Sequence, residues 1–252
     1  MLNMYEESIS NKFDINGYRE DNADEKFNLA TDEDSMGKIF SMMMPFLLLI
    51  FLYSGCVAVA PESIAGEKER GTIATLLVTP MNRSHLALGK IISLSVIALL
   101  SGLSSFVGTM LSLPKLMGGA IEGLPTNIYT TADYALLLGI ILSTVLIMIS
   151  LISIISAYAK TVKEAGTMVL PLMIVIMVVG VTSMMGGSEA QTAMAWYLIP
   201  IYNSVQAMVG IFSFGYSITN VVITIAVNSI YAGIFSLILA KMFNSEKIMF
   251  SK

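Results

Sequence analysis

Residues 39–60 read IFSMMMPFLLLIFLYSGCVAVA, an unbroken apolar run with no charge in it. As a helix at about 1.5 Å per residue it crosses roughly 30 Å, the thickness of a bilayer's hydrocarbon layer. Inside hydrocarbon no water satisfies a backbone N–H or C=O, so a run of this kind must be helical. Further apolar runs lie at about 86–113, 134–157, 167–185 and 218–240. Only 13% of the residues are charged and the mean hydropathy is +0.76, against about 25% charged in an ordinary soluble domain. The sequence predicts an all-α integral membrane protein, a helical bundle of five spans.

The runs divide the chain into an acidic polar segment, 1–37, a transmembrane domain, 38–241, and a tail, 242–252. The first segment holds ten acidic and three basic residues, so the net charge of −4 belongs to it, and the remainder is basic. It has no basic start followed by an apolar stretch, which excludes a signal peptide. The acidic balance gives no reason to expect a nucleic-acid partner. Cys56 stands alone, so a disulfide framework is excluded, and it reads as a small buried apolar residue.

One further apolar stretch, 196–214, is interrupted by Pro200, Asn203, Ser204 and Gln206. With short loops, basic residues mark the cytoplasmic side. Placing Lys68, Arg70, Arg83, Lys90, Lys160, Lys163, Lys241, Lys247 and Lys252 inside requires 196–214 to enter and leave on the outer side. It is therefore expected to be a re-entrant or interfacial helical segment, with Pro200, Tyr202 and Asn203 at its start. The N-terminus then lies outside and the C-terminus in the cytoplasm. Ser84 is expected to cap the second span and Pro114 to end it.

Several chemistries lack their residues. SHLALGKI has Ser84 where a phosphate-binding loop needs its first glycine, and Ile91 where it needs Ser or Thr. His85 has no metalloprotease context. The expected span interiors hold no ionisable residue, which weighs against proton relays and ion-coupled carriers. No catalytic, cofactor or metal residue is assigned. Small residues recur at every fourth position at Ser104, Gly108 and Ser112, and again at Ala232, Ser236 and Ala240. That spacing lets helix backbones approach, within a bundle or between two copies.

Residues 61–85 concentrate the charge. In PESIAGEKERGTIATLLVTP, Glu62, Glu67, Lys68, Glu69 and Arg70 precede Gly71 and Thr72, and Ile73, Leu76 and Leu77 follow on one helical face before Thr79 and Pro80. An amphipathic helix here either rests on the membrane surface or docks a soluble partner. The carboxylates favour docking, because an anionic leaflet repels them.

The string AGEKERGTIATLLVTPMNRSHLALGK, residues 65–90, resembles the signature of ABC-2 type ABC exporter permeases, closest to the sodium-extruding NatB-like branch. IPIYN, residues 199–203, resembles the element before that family's last span, and the resemblance covers about 38–241. It implies a cytoplasmic coupling helix at 71–79, flanked by Glu62, Glu67, Lys68, Glu69 and Arg70, and a re-entrant hairpin near the exit. It implies an ABC-type ATPase subunit that binds ATP and magnesium, a second permease copy in a homodimer or heterodimer, and location in a bacterial inner membrane among lipid. Members of that branch begin with a span and an extracellular domain, whereas Met1 falls in the tail of such a domain. A separately encoded first span is accordingly an expected partner. The function implied is ATP-driven export, with sodium as first substrate. The alternatives are a non-transporting membrane partner, such as an assembly or immunity factor, and an ion-gradient-driven secondary transporter.

Overall fold

Hydrocarbon leaves the backbone no partner but itself, and every regular element among the described residues is helical. The computed structural model describes residues 32–72, 83–116, 129–186, 190–191 and 193–245. Residues Gly37–Lys252 form one compact unit.

Helix α1 runs Asp32–Glu69. It does not stop where the apolar run stops: it continues through Pro61, so Glu62, Glu67, Lys68 and Glu69 stand on its last two turns rather than in a loop. Proline forfeits one hydrogen bond and crowds the preceding turn. Here Ile64 and Ala65 are fully buried, so packing outweighs the defect. The helix ends at Gly71, whose φ of 73° lies in the left-handed region that glycine enters freely.

Helix α2 spans Arg83–Leu116. Ser84 lies inside it, not ahead of it as a cap, and Pro114 does not end it, since two further residues stay helical. A proline in the final turn disturbs few bonds and membrane helices tolerate it. Helix α3, Thr131–Tyr158, opens with a capping box. Thr130 accepts from the Asp133 N–H, and the Asp133 carboxylate accepts from the Thr130 N–H.

Helices α4, Val162–Met168, and α5, Leu170–Met185, meet at Val169. Pro171 has no N–H to continue the ladder, which accounts for the break. Together they make one crossing that starts before the expected Thr167, so the intervening turn shrinks to 159–161. A 3-10 turn, Met194–Leu198, leads to α6, Tyr202–Phe212, and α7 runs Ile218–Asn244. Among the described residues four segments are long and apolar enough to cross a membrane: Ser41–Glu69, Thr131–Tyr158, Val162–Met185 and Ile218–Phe243. Helix α2 contributes a shorter apolar stretch, Leu88–Ser104.

Helix α3 is the centre of the bundle. It packs most extensively on α7, and also on α2, α4 and α6. Helix α6 lies against α3, α5 and α7, and its residues from Asn203 to Phe212 are all buried. Two glycines admit bulky neighbours: a Cβ on Gly102 would strike Leu52, and one on Gly180 would strike Phe46. These contacts hold α1 against α2 and α5. Outward, Ile92, Leu100, Ile174, Val178, Ile230 and Leu237 are exposed. Such an apolar exterior is what a lipid solvent accepts.

Candidate functional site

The last turns of α1 form a junction with three other elements. On the α2 side, Lys90 Nζ lies 2.7 Å from Glu67 Oε1 and donates to the Ser63 carbonyl at 2.9 Å. The pair is well covered, with 11% of the lysine and 25% of the glutamate side chain exposed. Its second carboxylate oxygen, Glu67 Oε2, is buried with no hydrogen-bond partner among the described residues. Screening by water is weak here, so losing either charge strands the other.

On the α3 and α4 side, Lys68 and Glu69 act on backbone. Lys68 Nζ donates to the Ala157 carbonyl at 3.2 Å and the Ala159 carbonyl at 3.1 Å. A cation suits the end of α3, where carbonyls lack helical partners. Glu69 Oε2 accepts from the Val162 N–H at 2.9 Å, at the start of α4. The turn between them closes on itself: Glu164 Oε2 accepts from the Lys160 N–H at 2.8 Å, and Thr161 Oγ1 accepts from the Glu164 N–H at 3.1 Å. Small residues permit the approach, since Ala65, Ala159 and Ala165 form one buried cluster. A Cβ on Gly66 would lie 3.2 Å from Val162 Cγ2.

Glu62 and Arg70 pair at 2.7 Å, both side chains more than half exposed. The hydrogen bond to Glu62 raises the Arg70 pKa further, but solvent leaves such a pair little net worth. Thr72 Oγ1 donates to the Glu67 carbonyl at 3.1 Å, folding the chain back over the helix end. The structure thus gathers Glu62, Glu67, Lys68, Glu69, Arg70, Gly71 and Thr72 at one helix terminus. Ile73, Leu76, Leu77, Thr79 and Pro80 lie outside the described residues.

The second group surrounds α6. Tyr202 packs on Trp196, ring centroids 5.4 Å apart, and Pro200 is half-buried. Asn203 is fully buried. Its Nδ2 donates to the Tyr197 carbonyl at 3.3 Å and to Asn228 Oδ1 at 3.1 Å, and its Oδ1 accepts from the Ser204 N–H at 2.7 Å. That last bond satisfies a first-turn donor of α6, whose own N-cap residue, Ile201, has no side-chain acceptor. Asn228 Nδ2 donates to Ser204 Oγ at 2.8 Å, and Thr144 Oγ1 lies 2.8 Å from the same oxygen. Thr144, Ser204 and Asn228, all buried, therefore join α3, α6 and α7, with Ser143, also buried, beside Asn228.

Sequence reasoning missed Asn228, Ser143 and Thr144, and it gave Lys90 no role beyond its charge. An asparagine deep in the last apolar run was the available signal. At the far end of α6, Tyr216 OH donates to Asp133 Oδ1 at 2.6 Å and Tyr129 OH to the Phe212 carbonyl at 3.1 Å, tying α6 to the start of α3. Of the small-residue positions, Ala232 and Ala240 are buried, and Ser236 Oγ donates to the Ala232 carbonyl at 2.7 Å. Ser104 and Gly108 are exposed, a Cβ on Gly108 would touch nothing within 4 Å, and the Ser112 side chain lies outside the described residues. Within the chain, the close approaches of α2 belong instead to Gly102 against Leu52 and Ser101 against Gly55.

A bundle of apolar helices of crossing length, cross-braced by buried polar side chains, defines a multi-pass integral membrane protein. Residues 3–241 match the family described as ABC-2 family transporter protein, and the chain belongs to it. A stretch of 74 residues is 35% identical to the ABC transporter permease protein NatB of Bacillus subtilis (strain 168). That stretch covers 29% of this chain and 19% of that relative. No solved structure matches.

Proposed function

We propose that the chain is the permease subunit of an ATP-driven exporter, working with a separate ABC-type ATPase subunit and a second permease copy. The observation that carries this is the junction at the end of α1. A helix end bonded to α2, α3 and α4 at once is a place where one push moves several spans. The coupling segment, 71–79, follows directly, on the cytoplasmic side. ATP and magnesium belong to the partner ATPase, and α6 lies toward the exit. The resemblance to a sodium-extruding branch makes sodium the first substrate to test.

The test is co-expression with an ABC-type ATPase encoded beside this chain, purification, and sodium flux in proteoliposomes. The expected result is co-purification and ATP-dependent flux, with no ATPase activity in the chain alone. Gly71→Pro and Glu67→Lys are expected to abolish flux while leaving insertion intact. Proline cannot adopt the φ of 73° at Gly71, and a lysine at 67 would face Lys90. Hydrolysis by the chain alone, or indifference to the ATPase, would sink the proposal. Binding without flux of any candidate ion would favour a non-transporting partner, and flux driven by an ion gradient without nucleotide would favour a secondary transporter.

A further inference from the structure

The junction at the end of α1 has a feature that the proposed coupling role does not require. Two consecutive residues of opposite charge, Lys68 and Glu69, seize the two sides of a turn some ninety residues away in sequence. Lys68 holds the Ala157 carbonyl at the end of α3 and the Ala159 carbonyl where the turn begins, at 3.2 and 3.1 Å. Glu69 holds the first amide after it, at 2.9 Å. The charges match what each side offers: carbonyl oxygens to the ammonium, an N–H to the carboxylate. A solvated charge run has no reason to sort itself this way.

The contact is also sterically closed. Gly66 faces Val162 where even a methyl group is tight, and Ala65 packs with Ala159 and Ala165. Within the turn, Thr161 and Glu164 satisfy backbone amides, so it is a shaped body rather than a slack loop. Lys90 joins the same helix end to α2 through Glu67 and Ser63.

Building on the permease reading, we infer that Lys68 and Glu69 are positioning residues that make the end of α1 and the α3–α4 turn move as one body. Input at the coupling segment then reaches α3 and the α4–α5 crossing directly through this clamp, beside the path along α1. Helix α3 is the one that carries Thr144 to Ser204 of α6, so the clamp has a continuous route to the buried polar group.

The first measurement needs no partner. Hydrogen exchange is followed on the full chain in lipid nanodiscs, reading peptides over 160–168, for Glu69→Ala, Glu69→Gln and Lys68→Met. Losing the Glu69 acceptor is expected to speed exchange in the first turn of α4 about tenfold or more, the effect of one hydrogen bond to a charged group. Glu69→Gln keeps an acceptor oxygen and should recover part of the protection, while peptides within α3 keep wild-type rates. Glu69 is exposed, so Glu69→Gln serves if the alanine variant fails to fold. Exchange within twofold of wild type in both Glu69 variants overturns the inference.

The second measurement adds the ATPase. Lys68→Met and Glu69→Ala are expected to keep ATPase binding and hydrolysis but to lower ions moved per ATP at least fivefold, with partial rescue by Glu69→Gln. Wild-type flux per ATP in variants that have lost protection overturns the inference and leaves the permease reading standing. If the wild-type chain binds no ATPase, the permease reading falls, and the exchange experiment still decides whether the clamp exists.

Discussion

Replacing Asn228 by leucine isolates the buried polar group around α6. The amide donates to Ser204 Oγ at 2.8 Å and accepts from Asn203 Nδ2 at 3.1 Å, while its 3.4 Å approach to Ser143 Oγ is too long to count. Interhelical hydrogen bonds in membranes contribute about 0.6 kcal/mol each and up to about 1.7. Two such bonds give about 1–3 kcal/mol. Leucine keeps the branched shape of the side chain and opens no cavity, though its methyl groups are bulkier than the amide, and it leaves Asn203 Nδ2 with the Tyr197 carbonyl alone, at 3.3 Å. A loss of about 2 kcal/mol is therefore expected. Ser229→Ala is the control, because Ser229 is exposed and its hydroxyl bonds only its own helix, to the Ile225 carbonyl. It should stay within about 0.5 kcal/mol of wild type.

The assay is equilibrium unfolding of the full chain in mixed detergent micelles with rising dodecyl sulfate. Trp196 is the chain's single tryptophan and packs on Tyr202 at the entry to α6, so its emission reports the element concerned. The expected result is a lower midpoint for Asn228→Leu at unchanged slope. An Asn228→Leu midpoint equal to that of Ser229→Ala would refute the reasoning. The amide would then be held by geometry without contributing to cohesion.

Gly102→Val should destabilise the bundle by about 1–3 kcal/mol through collision with Leu52, whereas Gly108→Ala should be neutral, both read by the same midpoint shift. Lys90→Met should cost more than the double variant Lys90→Met/Glu67→Met, since the single change strands a covered carboxylate; a double-mutant cycle measures the difference, expected at about 1–2 kcal/mol. Gly71→Ala should cost about 1 kcal/mol because its φ of 73° is unfavourable for any residue with a Cβ, and Gly71→Asn should cost less, compared by thermal stability in detergent. Cys56 is fully buried, so maleimide should leave it unmodified in the native protein and label it after unfolding, detected by mass.

The membrane helices were legible because their cause is local. An apolar run carries its own reason to be helical in hydrocarbon, and no distant residue is needed to read it. The exit from α1 was not legible at Pro61, because what carries the helix onward is tertiary. Ile64 is buried and Ala65 packs on Ala159 and Ala165, and no local propensity encodes that. The polar break in 196–214 was visible, but its meaning was not. Asn203 and Ser204 read as interruptions of a span until Asn228 and Thr144 are brought to them by folding.

The charged residues at the end of α1 show the limit most sharply. Glu67 has a side-chain partner, Lys90, and a pair of opposite charges leaves a mark that sequence can suggest. Lys68 and Glu69 bind backbone atoms of residues 157, 159 and 162, and a carbonyl or an amide is supplied by almost any residue. Nothing in the identity of Ala157, Ala159 or Val162 announces the contact. What the turn does require is size, since Ala159 and Ala165 pack on Ala65 and Val162 lies close to Gly66. Substitution of Ala159 by a larger side chain should therefore break the clamp as effectively as removing Glu69, although alanine contributes no functional group to it. Ala159→Leu should raise exchange over 160–168 as Glu69→Ala does, while Ala159→Ser should leave it unchanged. Unchanged exchange in Ala159→Leu would mean that the hydrogen bonds hold without the packing, and that the steric part of the argument is wrong.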